Sequence, residues 1–179
     1  MVRNRLFNVL LLCLLFSGEA ITQQDASQNL VILYTNDLHN RLNGFSPGIR
    51  YPPPCSNQDE ARGGFARIAS LIQDEREING DNVLVLDAGD FLIGTFFSML
   101  EESSGFQLSL MKRMGYDVVT LGNHEFDFGP QALAHIIGKS AENGFVPSLV
   151  ASNLVFSKED TADDGLEKLF DQQVLRPYQ

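Results

Sequence analysis

Apolar residues in this chain come in short unbroken runs that alternate with stretches where they recur every third or fourth position. Asn29 to Tyr34 (NLVILY), Val83 to Leu86 (VLVL) and Val118 to Leu121 (VVTL) are runs of the first kind, and each predicts a buried strand. Phe65, Ile68, Ala69 and Ile72 recur at helical spacing, with charges between and after them through Glu77 and a stop at Asn79-Gly80. A second helix is expected around Phe106 to Met114, ended by Gly115. Pro130 is well placed to start a third, whose apolar face is Leu133, Ile136, Ile137 and Ala141, and Asn143-Gly144 closes it. Phe145 to Val155 reads as a fourth strand, which Pro147 limits to an edge or an early position. From Asn40 to Gly64 the chain is rich in Gly, Pro, Asn and Ser, a long loop of the kind that is usually functional or mobile.

Strands alternating with helices imply right-handed βαβ units, and so an α/β fold built on a mainly parallel sheet. In such sheets polar ligands collect beyond the carboxyl ends of the strands. Three of the expected strands carry possible ligands there: Asp37 and His39, then Asp90, then Asn123 and His124.

Carboxylate, imidazole and amide groups are oxygen and nitrogen donors, a mixture suited to divalent zinc, manganese or magnesium rather than to soft, thiolate-bound ions. Asp37 and His39 are two apart, so in an extended segment both face one side. Asp90 has two carboxylate oxygens and can bridge two cations. Two such metals can clamp a phosphate for in-line attack by hydroxide. His124 can serve as a ligand or as a proton donor to a leaving oxygen, and Asp127 is close enough to hold its imidazole in one tautomer. Taken singly, each has a plain structural role: an Asp after a strand caps or turns, and a Gly-Asn pair makes a turn. It is their joint placement that points to chemistry. Asp87 reads as structural, capping backbone donors of the DAGD turn. Glu125 is either a surface carboxylate or a support for its neighbours, and His135 is structural.

Composition changes the picture in three ways. With 179 residues, 44% hydrophobic and 20% charged, the chain has material for one globular domain of ordinary size. Its net charge of −10 excludes nucleic acid as a partner, since phosphate backbones would be repelled unless cations intervened. The first twenty residues are set apart: Arg3 and Arg5 precede an apolar run from Val9 to Phe16, then small residues at Gly18 and Ala20. That is the pattern of a signal peptide over residues 1–20, too short to span a bilayer, and it predicts export to a periplasm or the extracellular space. Of the two cysteines, Cys13 would leave with it, so Cys55 alone could form no disulfide within the mature chain.

Three segments in order, TNDLH at 35–39, DAGD at 87–90 and GNHE at 122–125, resemble the calcineurin-like metallophosphoesterases. The fuller forms YTNDLH, GGFARIA, DAGD and GYDVVTLGNHEFDFG are similar to the secreted 5′-nucleotidase branch, with its UDP-sugar hydrolases and 2′,3′-cyclic phosphodiesterases. The resemblance implies a layered sandwich of mainly parallel sheet and helices. It implies two divalent metal ions, with Asp37 and His39 on the first, Asp90 bridging and Asn123 on the second. His124, oriented by Asp127, would act on the phosphate as the catalytic group, and Asn123 and His124 would both meet the substrate. The implied activity is hydrolysis of nucleoside 5′-monophosphates, with cyclic nucleotides or nucleotide sugars as alternative substrates. One departure stands out. The family completes its site with later histidines in a Gly-His-x-His segment, and this chain has only three histidines, His39, His124 and His135. The expectation is therefore that residues 21–179 are the N-terminal half of a catalytic domain, incomplete and without its C-terminal nucleotide-binding domain. The competing expectation is a non-catalytic module that binds nucleotide or metal.

Overall fold

The computed structural model describes residues 29–45, 62–144 and 146–177. The expected signal peptide, Cys13, Cys55 and much of the 40–64 loop lie outside them. β1 (Val31–Thr35), β2 (Val83–Asp87), β3 (Val118–Thr120), β4 (Ser148–Val150) and β5 (Leu175–Arg176) form one sheet. All neighbours are parallel and the strands follow one another in chain order. The connections carry α1 (Phe65–Asn79), α2 (Glu101–Ser104), α3 (Phe106–Met114), α4 (Gly129–Glu142) and α5 (Asp164–Asp171). The α/β fold expected from the alternating pattern is thus the one observed.

Sequential order with right-handed crossovers lays the helices on a single face of the sheet. Val83, Val85, Val119 and Leu149 point into that side and are buried with Phe65 and Ile72 of α1, Leu108 and Met111 of α3, and Leu133 and Ile137 of α4. Each such side chain, fully buried, stabilises the fold by roughly 1.5–3 kcal/mol. The period-2 alternation puts Ile32 and Tyr34 on the opposite face, where they are 53% and 76% exposed.

Several elements differ in extent from expectation. β4 is confined to Ser148–Val150 because Pro147, which has no N–H to give a ladder, immediately precedes it and a turn at Ser152-Asn153 follows. It is an interior strand between β3 and β5, so Pro147 is accommodated by its early position rather than by an edge. α2 and α5 were not expected. α2 is a single turn, too short for periodicity to show, and α5 has only Leu166 and Leu169 on its buried face. Among the described residues no helix is long and apolar enough to cross a membrane.

The register sets Thr35 opposite Asp87, and Leu86 and Asp87 opposite Val118 and Val119. The carboxyl ends of β1, β2 and β3 are therefore adjacent, and the segments leaving them meet.

Candidate metal centre at the strand ends

Each strand delivers its polar residues through a different local device. Beyond β1 the chain turns left-handed, with φ of 54° at Asp37, 46° at His39 and 50° at Asn40. The extended arrangement expected for Asp37 and His39 is not what forms. The turn is held by backbone pairing to the segment after β2: Asp37 N–H donates to the Gly89 carbonyl (3.0 Å), His39 N–H to Asp90 (3.1 Å) and Asn40 N–H to Phe91 (2.9 Å). Asp90 is itself left-handed, with φ 57°. Non-glycine residues at such angles cost of order 1–3 kcal/mol each and persist where surrounding bonds over-determine them.

Beyond β3 the geometry is ordinary. Asn123 (φ −78°) and Asp127 (φ −60°) flank a 3-10 turn over His124–Phe126. The turn is tied to the β2 end by Glu125, whose side chain is buried at 2% exposure. Glu125 accepts hydrogen bonds from the N–H groups of Asp90 (2.9 Å), Leu92 (2.9 Å) and Gly122 (2.6 Å). Of the two roles open to Glu125 in the sequence, the structure selects support. Gly122 permits the approach: a Cβ there would stand 2.2 Å from Asp90 Oδ1.

Asp87 holds the base of the DAGD turn, as its structural reading anticipated. Its Oδ1 accepts from Gly89 N–H (3.0 Å) and its Oδ2 from the Thr35 hydroxyl (2.6 Å). That hydroxyl in turn accepts from Tyr116 (2.8 Å), since its one proton is given to Asp87. Burial pushes the Asp87 carboxyl up to about 6, against the lowering effect of the hydrogen bonds from Thr35 and Gly89.

These devices bring three residues together. One donor atom each from His39, Asp90 and His124 lies within 4.8 Å of the other two, and the two imidazole rings meet edge to face with centroids 5.0 Å apart. His39 Nδ1 faces the carbonyls of Ile93 (2.9 Å) and Leu92 (3.2 Å). Carbonyls only accept, so Nδ1 carries the proton and Nε2 is left as the donor to a metal. Asp37 Oδ1 stands 3.7 Å from His39 Nε2, at the margin of the cluster. Asp90 Oδ1 accepts from the His124 backbone N–H (2.9 Å). His124 Nδ1 hydrogen-bonds Asp127 Oδ2 (2.8 Å), and this bond raises the imidazole above its ordinary pKa. Asn123 is exposed at the start of the turn, where its carbonyl accepts from Phe126 N–H (3.1 Å). His135 is exposed on α4. Two imidazoles and converging carboxylates, with one histidine tautomer fixed by backbone, fit a divalent cation by their donor chemistry. Sequence reasoning passed over Asn40, Glu101 and Gln107, which are buried beside this cluster. Their polar character gave no periodic signal.

The family model for calcineurin-like phosphoesterases matches residues 30–175. Human 5′-nucleotidase is 35% identical over 129 residues, covering 72% of this chain and 22% of that protein. Snake venom 5′-nucleotidase from Gloydius brevicauda is 40% identical over 123 residues, covering 68% and 20%. The crystal structure of the 5′-nucleotidase precursor from Thermus thermophilus superposes with a TM-score of 0.58 at 31% identity, covering 79% of this chain and 24% of that one. The chain thus spans between a fifth and a quarter of the length of these relatives. Matched along nearly all of its described length, and similar in fold to the Thermus thermophilus structure, the chain belongs to the calcineurin-like phosphoesterase family.

Proposed function

We propose that this chain supplies the first half of the metal site of an exported phosphohydrolase that releases phosphate from nucleoside 5′-monophosphates. The observation that carries the proposal is the convergence of His39, Asp90 and His124 where three parallel strands end. The relatives named as 5′-nucleotidases favour nucleotides as the substrate class. In this reading Asp37 and His39 would hold one divalent metal, and Asp90 and Asn123 would serve as further ligands for a pair of such ions. When bound, such ions would supply Lewis-acid polarisation of the phosphate and activation of water. They also offset an acidic surface that would otherwise repel phosphate.

The protein's own groups do the rest. The carbonyls of Leu92 and Ile93 keep the His39 proton on Nδ1. Asp127 holds the proton of His124 on Nδ1 and favours its charged form, a state suited to donating to a leaving oxygen. In this reading Asn123 and His124 would both meet the substrate. Export rests on the basic and apolar pattern of residues 1–20.

The direct test is AMP hydrolysis by a protein that carries this chain together with a Gly-His-x-His segment. Activity should require divalent metal and vanish in excess chelator. Asp90→Asn should reduce turnover by at least about a hundredfold, since loss of a group that merely orients a ligand already costs about ten- to a hundredfold. Near-normal turnover in that variant, or in chelator, would exclude the mechanism. His124→Ala should lower turnover more than metal content; equal losses would make it a ligand.

A further inference from the structure

Next to the cluster lies a buried polar assembly that the proposed chemistry does not use. Asn40 and Gln107 are 0% exposed and Glu101 is 3% exposed. The Asn40 amide donates to Glu101 Oε1 (3.1 Å) and to Gln107 Oε1. Its Oδ1 accepts from the Ser98 hydroxyl (2.7 Å). Its backbone is engaged as well: the carbonyl accepts from the Thr95 hydroxyl (2.9 Å) and the N–H donates to Phe91 (2.9 Å). Gln107 extends the assembly by donating to the Phe91 carbonyl (2.5 Å), and Glu101 Oε2 accepts from the Gln107 N–H (3.4 Å). Every strong donor of Asn40 thus has a partner, and each acceptor oxygen has at least one.

Breaking any one of these bonds would leave a buried group unmet at about 1–3 kcal/mol, so the assembly holds its segments firmly. What it fixes is the residue before it. Asn40 is the last of the left-handed residues beyond β1, and asparagine tolerates that conformation better than most. His39, directly before it, lies against Gly94, where a Cβ would stand 2.6 Å from the His39 carbonyl oxygen and 2.8 Å from its Cβ. The imidazole is aimed by the carbonyls of Leu92 and Ile93, which lie between the two segments that grip Asn40. Asn40 is thus anchored by α2, α3 and the 3-10 turn over Phe96–Leu100, one residue from His39.

We propose that Asn40, gripped by Glu101, Gln107 and Ser98, is the positioning residue of His39 and sets the affinity of the centre for its metal. The inference rests on the reading of His39 as a ligand, and the experiment separates the two. Cobalt(II) is titrated into the whole chain, and affinity and the visible ligand-field band are recorded for wild type and variants. His39→Ala should abolish the band. Asn40→Gly keeps the left-handed backbone but deletes the anchor, and should weaken cobalt binding by about ten- to a hundredfold with an altered band. Glu101→Gln keeps the shape and, through its one amide oxygen, the acceptor for the Asn40 amide. It removes the charge and the acceptor for the Gln107 N–H (3.4 Å), and should bind within about threefold of wild type, the scale of one long hydrogen bond.

Cobalt bound undiminished by His39→Ala would overturn the metal-centre reading and the proposal with it. Loss in His39→Ala together with wild-type affinity and band in a thermally weakened Asn40→Gly would overturn the proposal alone. Loss in Glu101→Gln as large as in Asn40→Gly would assign the effect to charge and overturn it too. Should Asn40→Gly lack a folded circular dichroism spectrum, Ser98→Ala takes its place, removing one bond to Asn40 Oδ1. A loss of about threefold there supports the proposal, in line with one hydrogen bond of ~0.5–1.5 kcal/mol, and an unchanged constant overturns it.

Discussion

The segments leaving β1 and β3 do the same job by opposite means. Beyond β1, Asp37, His39 and Asn40 all take positive φ, a conformation the backbone resists. They are kept there by pairing to Gly89, Asp90 and Phe91 and by a buried side-chain assembly around Asn40. Beyond β3, Asn123 to Asp127 are right-handed and unstrained, and one buried carboxylate, Glu125, ties them to the β2 end. A site can therefore hold its ligands either by forcing the main chain and bracing it from the side, or by leaving the main chain relaxed and tying it through carboxylates, here Glu125 and the His124 N–H bond to Asp90. In both cases the constraint comes from buried polar groups one step behind the converging donors.

The comparison can be broken most sharply at Glu125, the buried carboxylate of the β3 side. Glu125→Ala would strand three N–H groups, those of Asp90, Leu92 and Gly122. At about 1–3 kcal/mol for each unmet donor, partly recovered by water, a loss of roughly 3–5 kcal/mol is expected from urea midpoints. A loss below about 1 kcal/mol would show that the β3 segment needs no clamp, because a single ordinary hydrogen bond is worth that much.

The β1 side offers a sharper, smaller test through pH. Burial raises the Glu101 carboxyl from 4.5 to about 7, against lowering by its bonds from Gln107 and Asn40. A carboxyl that holds its proton more tightly folded than unfolded makes folding take up a proton between those values. Stability should therefore fall as pH rises from 4.5 to about 7 and then level off. Glu101→Gln removes this titration and should be the more stable protein at pH 8, by roughly 3 kcal/mol less about 1 for the Gln107 N–H bond that its amide cannot accept, with a flatter profile of Tm against pH. A wild-type Tm that rises across this window, with no gain in the variant, would contradict the burial argument.

The smallest effect on stability is expected at the exposed pair. Asp127→Asn should leave Tm unchanged, since the pair stands in solvent. By NMR titration it should lower the His124 pKa, because the Asp127 hydrogen bond is the main cause of its elevation. A shift in Tm without a shift in that pKa would mean that Asp127 braces the turn rather than the imidazole.

How much of this was legible beforehand follows from what each residue's neighbours are. The strands over β1, β2 and β3 and the starts and stops of α1, α3 and α4 are written in local spacing, in Gly80, Gly115 and Pro130, so a linear reading finds them. α2 is a single turn and α5 shows only Leu166 and Leu169, too little periodicity to read. Asp37, His39, Asp90, Asn123 and His124 stood out because strand ends can be located before the strands are ordered. Glu125 was ambiguous and Asn40, Glu101 and Gln107 were invisible, because a polar residue's burial depends on which segments cross it.

The sequence by itself determined the alternation of strand and helix, the parallel sheet and the order of the polar segments at its carboxyl edge. Those follow from periodicity and from the handedness of crossovers, which are local or nearly universal. Only the tertiary structure decided that His39 reaches its place through a left-handed turn, that Glu125 clamps and that Asn40 anchors. Hydrogen bonds between residues 35 and 61 positions apart depend on the packed fold, and no spacing along the chain encodes them.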